Sequence, residues 1–220
     1  MTPGKDIDPE TGPARARLVE TLRRKGICNA DVLAAMQNVP RHRFIAPDQQ
    51  GQAYADHALP IGHDPPISQP FVVAVMTEKL LANSAQHQNV LEIGTGCGYQ
   101  TAVLARVFGQ VYSIERIEAL AALAQETLAS LDITNVSLRH GDGTRGWPDR
   151  VDFDAVLVTA AAETVPDPLL SLLSPGGCLV APIGERWSQR LRTVTRKDDG
   201  LHTVDAEGVR FVPLLAGTRC

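Results

Sequence analysis

The sequence predicts an α/β fold: a mostly parallel, doubly wound sheet with N-terminal helices and antiparallel C-terminal strands. Three observations lead there. Val90-Leu91-Glu92-Ile93 has strand character and runs into three glycines on alternate positions, Gly94, Gly96 and Gly98, after which a helical pattern begins. A strand feeding a glycine turn that opens a helix is the first unit of a nucleotide-binding α/β domain. Further short apolar runs follow, separated by helical patterns, and Phe153 to Val158 is apolar almost throughout, as a central strand buried on both faces should be. From Gln189 onward simple alternation takes over (Leu191, Val194, then Leu201, Val204, then Val209, Phe211), with Asp198-Asp199-Gly200 as a hairpin turn.

Each element has its own local reason. Met1 to Pro13 holds Pro, Gly, Asp and Thr with hardly an apolar side chain and reads as a disordered tail. Residues 14–220 then read as one domain: helices and a loop over 14–89, the core over 90–185, antiparallel strands over 186–220. Leu18, Val19 and Leu22 share one face of a first helix that Gly26 stops. Asn29 is a good N-cap for a second, in which Val32, Leu33 and Met36 form the apolar stripe before Pro40. Arg23-Arg24-Lys25 and Arg41-His42-Arg43 read as solvated charges at helix ends.

Phe44 to Pro70 shows no sustained period and is too long for a plain connector, which marks it as a functional loop. His57, His63 and Asp64 within it match no metal-ligand spacing, so no metal is expected. The loop ends in Ile67-Ser68-Gln69-Pro70, where Pro70 suits the first turn of a helix and Ser68 could serve as its N-cap. Later come a helix from Thr101 to Phe108 and another from Arg116 to Leu131. Val136 to Arg139 reads as a strand, Pro166 to Leu173 as a helix, Ser174-Pro175-Gly176-Gly177 as a turn and Cys178 to Pro182 as a strand.

Composition excludes several classes. A formal net charge of -4 provides no electrostatic footprint for nucleic acid or an anionic membrane. No apolar run reaches transmembrane length, and no signal-peptide core follows Met1. Cys28, Cys97, Cys178 and Cys220 are scattered without a C-x-x-C pair, the pattern of a free-thiol protein of the cytoplasm.

The glycine spacing is G-x-G-x-G, and Tyr99 stands where a dinucleotide fingerprint has its third glycine. Glu92 lies two residues before Gly94, Glu115 ends the run Val111 to Ile114, and Asp142 sits in Gly141-Asp142-Gly143 after a third strand. Three acids at three strand ends, expected to face one crevice, suit a ligand with a cation, a ribose and an amine. Glu115 capping a helix and Asp142 forming a turn are the plainer alternatives. This pattern resembles the S-adenosylmethionine site of Rossmann-like class I methyltransferases.

A closer resemblance covers Leu18 to Leu215. Val39-Pro40-Arg41-His42-Arg43-Phe44, Ala53-Tyr54, Ile67-Ser68-Gln69-Pro70 and Glu92 to Thr101 carry its first half. Gly141-Asp142-Gly143, Gly146-Trp147, Thr159-Ala160-Ala161, Gly176-Gly177, Pro182-Ile183-Gly184 and Phe211-Val212-Pro213-Leu214 carry the second. These stretches resemble the protein-L-isoaspartate O-methyltransferases. The resemblance implies methyl transfer from S-adenosylmethionine to the α-carboxylate of L-isoaspartyl residues in damaged proteins, the ester then closing to a succinimide that begins repair. It makes Ser68 the active-site residue and Ile67, Val212, Pro213 and Leu214 the lining of the acceptor site. Glu92, Gly94, Thr95, Gly96 and Gly98 would hold the methionine end of the cofactor, Glu115 its ribose, and Asp142 and Gly143 its adenine. It implies a monomer acting on proteins and peptides, not on nucleic acid or membranes. The family usually has Thr before Ile-Ser; this chain has Pro65-Pro66, which removes a hydroxyl and a backbone donor beside Ser68.

Overall fold

The computed structural model describes residues 9–60, 66–149 and 151–219. Helices α1 (Gly12–Arg24), α2 (Ala30–Asn38) and α3 (Pro70–Asn83) precede the sheet. Strands β1 (Asn89–Ile93), β2 (Gln110–Glu115), β3 (Val136–His140), β4 (Phe153–Val158) and β5 (Leu173–Glu185) alternate with α4 (Tyr99–Leu104), α5 (Glu118–Ser130) and α6 (Asp167–Ser171). β6 (Ser188–Lys197) and β7 (Gly200–Val209) complete it. The seven strands are ordered β3-β2-β1-β4-β5-β6-β7; β1 to β5 are parallel, and β6 and β7 are antiparallel. The strand order reverses between β1 and β4, and in open α/β sheets that is where a crevice forms at the strands' carboxyl ends. No helix among the described residues is long and apolar enough to cross a membrane.

Alternation along the strands fills a core on each side of the sheet. Val90, Val111, Ala155, Leu157 and Val180 face α1 to α4, while Leu91, Ile93, Val156, Val158 and Leu179 face the opposite layer around α6 and Trp147. The period of two puts Glu92 on the same face as Val90, under α4. The helices form as their sequences dictate. Leu18, Val19 and Leu22 are buried on α1, and Asn29 caps α2 by accepting from the Asp31 and Val32 amides at 2.9 and 3.1 Å.

Several expectations need correction. Residues 1–8 lie outside the described residues, but Pro9–Thr11 form a 3-10 turn and α1 begins at Gly12, so residues 9–13 are helical and not a disordered tail. Ser174-Pro175-Gly176-Gly177 does not end a strand. It is a bulge inside β5, set by the register shift opposite Phe153 and Ala155 and by Gly176 at φ +75°. The alternation that marks β7 finds no second layer: it is an edge strand, and Leu201 and Val204 are exposed. Between Phe44 and Pro70 a 3-10 turn spans Pro47–Gln52 and an antiparallel bridge joins Leu59 to Ile67; His63, Asp64 and Pro65 lie outside the described residues.

Candidate active site

The glycine loop closes the carboxyl end of β1. Gly94, Gly96 and Gly98 all have positive φ, at 98°, 55° and 89°. At Gly94 the requirement is steric as well, since a Cβ would strike the Thr159 hydroxyl, which itself donates to the Gly94 and Ile93 carbonyls at 2.6 and 2.9 Å. Gly96 is different: a Cβ there would meet nothing within 4 Å, so its backbone faces open space that a ligand can approach.

Beneath the loop, Glu92 is wholly buried. Its Oε2 accepts from the Thr101 and Ser113 hydroxyls at 2.5 and 2.6 Å, and Thr95 Oγ1 lies 2.6 Å from Ser113 Oγ. Its Oε1 is buried with no hydrogen-bond partner among the described residues. Burial pushes this carboxyl up to about 8, against the two hydroxyls, which favour its ionised form, and Glu115 pushes it in the same direction as burial. The expectation that Glu92 lines an open crevice is therefore corrected. The pleat directs it into the floor, where it keeps one unused acceptor.

Glu115, also buried, accepts from the Gly96 amide at 2.8 Å through Oε2 and from the Ile117 amide at 2.9 Å through Oε1. Ile117 is the residue at the start of α5, so the helix-capping alternative for Glu115 holds, and it also braces the glycine loop. Asp142 likewise forms its turn: Oδ1 accepts from Thr144 N and Oγ1 at 3.0 and 2.7 Å, and Oδ2 accepts from Gly217 N at 2.8 Å. Burial pushes its carboxyl up, but the bonds from Thr144 and Gly217 and nearby Arg145 outweigh it and hold it below the usual range. Gly143 fits where it does because a Cβ would collide with Ile93.

Ser68 stands one residue before the N-cap of α3. That N-cap is Gln69, whose own side chain makes no capping bond, and the Phe71 amide of the first turn donates to Asp56 Oδ1 at 2.8 Å, so the capping alternative for Ser68 fails. Among the described residues its hydroxyl has no hydrogen-bond partner. Ile67 is buried through its bridge to Leu59. On the opposite side, Val212-Pro213-Leu214 is pinned to the end of β4: Ala161 N donates to Val212 O and Leu214 N to Ala161 O, each at 2.7 Å. Gln189 fixes the preceding residue, donating to Phe211 O at 3.1 Å and accepting from Phe211 N at 2.6 Å.

Four features escaped sequence reasoning. Thr101 and Ser113, which hold Glu92, look like ordinary helix and strand residues. Thr159 reads as one small residue among several. Residues 217–219 return across the ends of β2 and β3, where Glu118 N donates to Arg219 O at 2.9 Å and Arg219 N to Arg116 O at 2.7 Å. Arg41, expected as a solvated charge, is fully buried. Its only signal is its setting between apolar neighbours, Val39 and Phe44.

A glycine loop at the reversal of a parallel sheet, with acids at successive strand ends and no third dinucleotide glycine, defines a Rossmann-like class I methyltransferase. The sequence profile described as protein-L-isoaspartate(D-aspartate) O-methyltransferase (PCMT) matches residues 14–219. The protein-L-isoaspartate O-methyltransferase of Aliivibrio salmonicida is 49% identical over 205 residues, covering 93% of this chain and 97% of the relative. That of Vibrio parahaemolyticus is 50% identical over 207 residues, covering 94% and 98%. A solved Plasmodium falciparum structure, described as a protein-L-isoaspartate O-methyltransferase in complex with S-adenosyl-L-homocysteine, superposes with a TM-score of 0.80 at 27% identity, covering 91% of this chain and 98% of that one. This chain belongs to the protein-L-isoaspartate(D-aspartate) O-methyltransferase family.

Proposed function

We propose that this protein transfers a methyl group from S-adenosylmethionine to the α-carboxylate of L-isoaspartyl residues in damaged proteins and peptides, which begins their repair through a succinimide. The observation that carries the reading is the pairing, within one family framework, of a braced glycine loop with a Ser68 hydroxyl that has no partner among the described residues. The residues present fit the cofactor. Glu92 Oε1 is an orphaned acceptor for a cation, and Gly96 leaves room for close backbone approach. Glu92, Thr95 and the loop Gly94 to Gly98 would hold the methionine end, Glu115 the ribose, and Asp142 and Gly143 the adenine. When bound, S-adenosylmethionine supplies a methyl group made electrophilic by a sulfonium.

The chain's own residues need no strong base, because a carboxylate with a reference pKa of about 4 is ionised at neutral pH. What they contribute is alignment, and well-oriented reactants gain roughly 7–11 kcal/mol from positioning. Ser68 donates its hydroxyl to the acceptor carboxylate and orients it. Ile67 and Val212-Pro213-Leu214 line the acceptor chain and exclude water from it. The reading includes residues 14–220 acting as one domain, as a monomer, in the cytoplasm, on protein and not on nucleic acid; the free thiols of Cys28, Cys97 and Cys178 agree with a reducing compartment.

Methyl acceptance by one peptide in its isoaspartyl and aspartyl forms tests the reading. Acceptance by the isoaspartyl form alone is expected. Equal methylation of both forms would instead mark a carboxyl methyltransferase of the same fold with a different acceptor.

Glu92 makes a second expectation measurable. A cationic ligand group beside it favours its ionised form, so below about pH 8 binding should release a proton. Affinity for S-adenosylmethionine should then rise as pH climbs towards about 8 and level off above it. For the ligand-free fold the sign is opposite. The carboxyl rises from 4.5 to about 8 on folding, so this group makes the fold progressively less stable as pH increases through that window. Calorimetry in buffers of different ionisation enthalpy reads the proton. Release that persists unchanged in Glu92→Gln would assign it to another group.

A further inference from the structure

Arg41 lies on the 3-10 turn Arg41–Phe44 and is wholly buried. Its Nε donates to the Ala53 carbonyl and its Nη2 to the Ser68 carbonyl, both at 2.9 Å. The guanidinium carbon sits 4.7 Å from the centre of the Tyr99 ring, and Tyr99 directly follows Gly98. Nη1 is buried and has no hydrogen-bond partner among the described residues. No carboxylate pairs with this cation among the described residues. The acid that acts on it electrostatically, Asp56, is engaged instead by Lys25, Gln69 and the Phe71 amide.

A buried charge without a counter-ion is a poor device for stability. Apolar side chains of similar volume would fill the same space at lower desolvation cost. What an apolar side chain cannot do is clamp both ends of the loop between Ala53 and Ser68 while stacking on the first residue of α4. Lysine cannot do so either, since its ammonium is a strongly hydrated point charge without a planar face. The geometry points to Arg41 as the positioning residue of the acceptor site, holding Ser68 in register with the glycine loop. This inference rests on the reading of Ser68 above.

Arg41→Ala, Arg41→Lys, Ser68→Ala and the Arg41→Ala/Ser68→Ala double variant test it, with isoaspartyl peptide as acceptor. Binding of S-adenosylhomocysteine identifies folded protein. Arg41→Ala should lower kcat roughly ten- to hundredfold, the loss expected when charged hydrogen bonds are removed. Ethylguanidinium at a concentration that leaves the fold intact should restore most of that loss, whereas ethylammonium should not. In the Ser68→Ala background the arginine substitution should cost much less than in the wild type, because both act on one hydroxyl. A folded Arg41→Ala at the wild-type rate overturns the inference. So does a loss that ethylguanidinium leaves untouched and that adds fully to the loss from Ser68→Ala. If Arg41→Ala does not fold, Arg41→Lys decides: slow turnover supports the assignment and a wild-type kcat overturns it. Failure of the Ser68 reading looks different, since Ser68→Ala alone would then turn over at the wild-type rate.

Discussion

Ser68→Ala should slow methyl transfer roughly ten- to hundredfold and leave the melting temperature essentially where it is. In the proposed role the substitution removes a hydroxyl donor from a charged acceptor, where a hydrogen bond contributes about 1.5–3 kcal/mol. The unchanged stability follows from the structure. A lost N-cap costs about 0.5–2 kcal/mol, and in a chain of this size each kcal/mol lowers the melting temperature by about 2–4 °C. Here the N-cap is Gln69, Asp56 and not Ser68 caps the first turn of α3 through the Phe71 amide, and the Ser68 hydroxyl holds nothing among the described residues. Substitution therefore removes no bond to any described residue. Single-turnover kinetics at saturating cofactor, paired with thermal melts, separate the two quantities. A variant that melts several degrees lower yet methylates isoaspartyl peptide at the wild-type rate would make Ser68 a structural residue. Ser68→Thr should retain part of the activity, because it keeps the hydroxyl and adds only a methyl group beside the exposed Pro66.

Glu115→Gln should weaken S-adenosylhomocysteine binding roughly ten- to hundredfold, with a melting point lower by several degrees. The carboxylate accepts from two backbone amides at once, Gly96 N at 2.8 Å and Ile117 N at 2.9 Å. Glutamine has the same shape but one acceptor oxygen, so its amide group would face one of those N–H donors and leave it unpaired in a buried place. Loosening Gly96 loosens the loop that the ligand must meet, and in the proposed reading the ribose loses an acceptor as well. Glu115→Gln is thus expected to move stability and affinity together, in contrast to Ser68→Ala. Titration calorimetry and thermal melts on the same samples check this. Lower stability with unchanged affinity would show that Glu115 braces the loop without touching the ligand.

The two acids illustrate how far sequence reading reaches. That Glu92 and Glu115 belong to strand ends around a glycine turn follows from patterns within a few residues: apolar runs, alternate glycines, a helical period beyond. Such patterns are set by backbone sterics and by burial of one face, which act locally. The same is true of the Asn29 cap, the stop at Gly26 and the hairpin at Asp198-Asp199-Gly200. Ile67 to Pro70 and Phe211 to Leu214 were legible too, but through resemblance to a family and not through any physics of their own.

The sequence by itself determined the fold class, the order of elements and the strip of chain that carries the glycine loop. Only the tertiary structure decided what each polar group touches. It set the capping alternative for Ser68 aside, drew Arg41 out of a presumed surface cluster into the core, and placed Glu92 under Thr101 and Ser113. It also made β7 an exposed edge in spite of its alternation. The physical reason is separation along the chain. Arg41 reaches carbonyls 12 and 27 residues away, and Glu92 a hydroxyl 21 residues away. Contacts of that kind exist only once the sheet, its helices and the long loop have closed on one another, and no local pattern encodes which partners then meet.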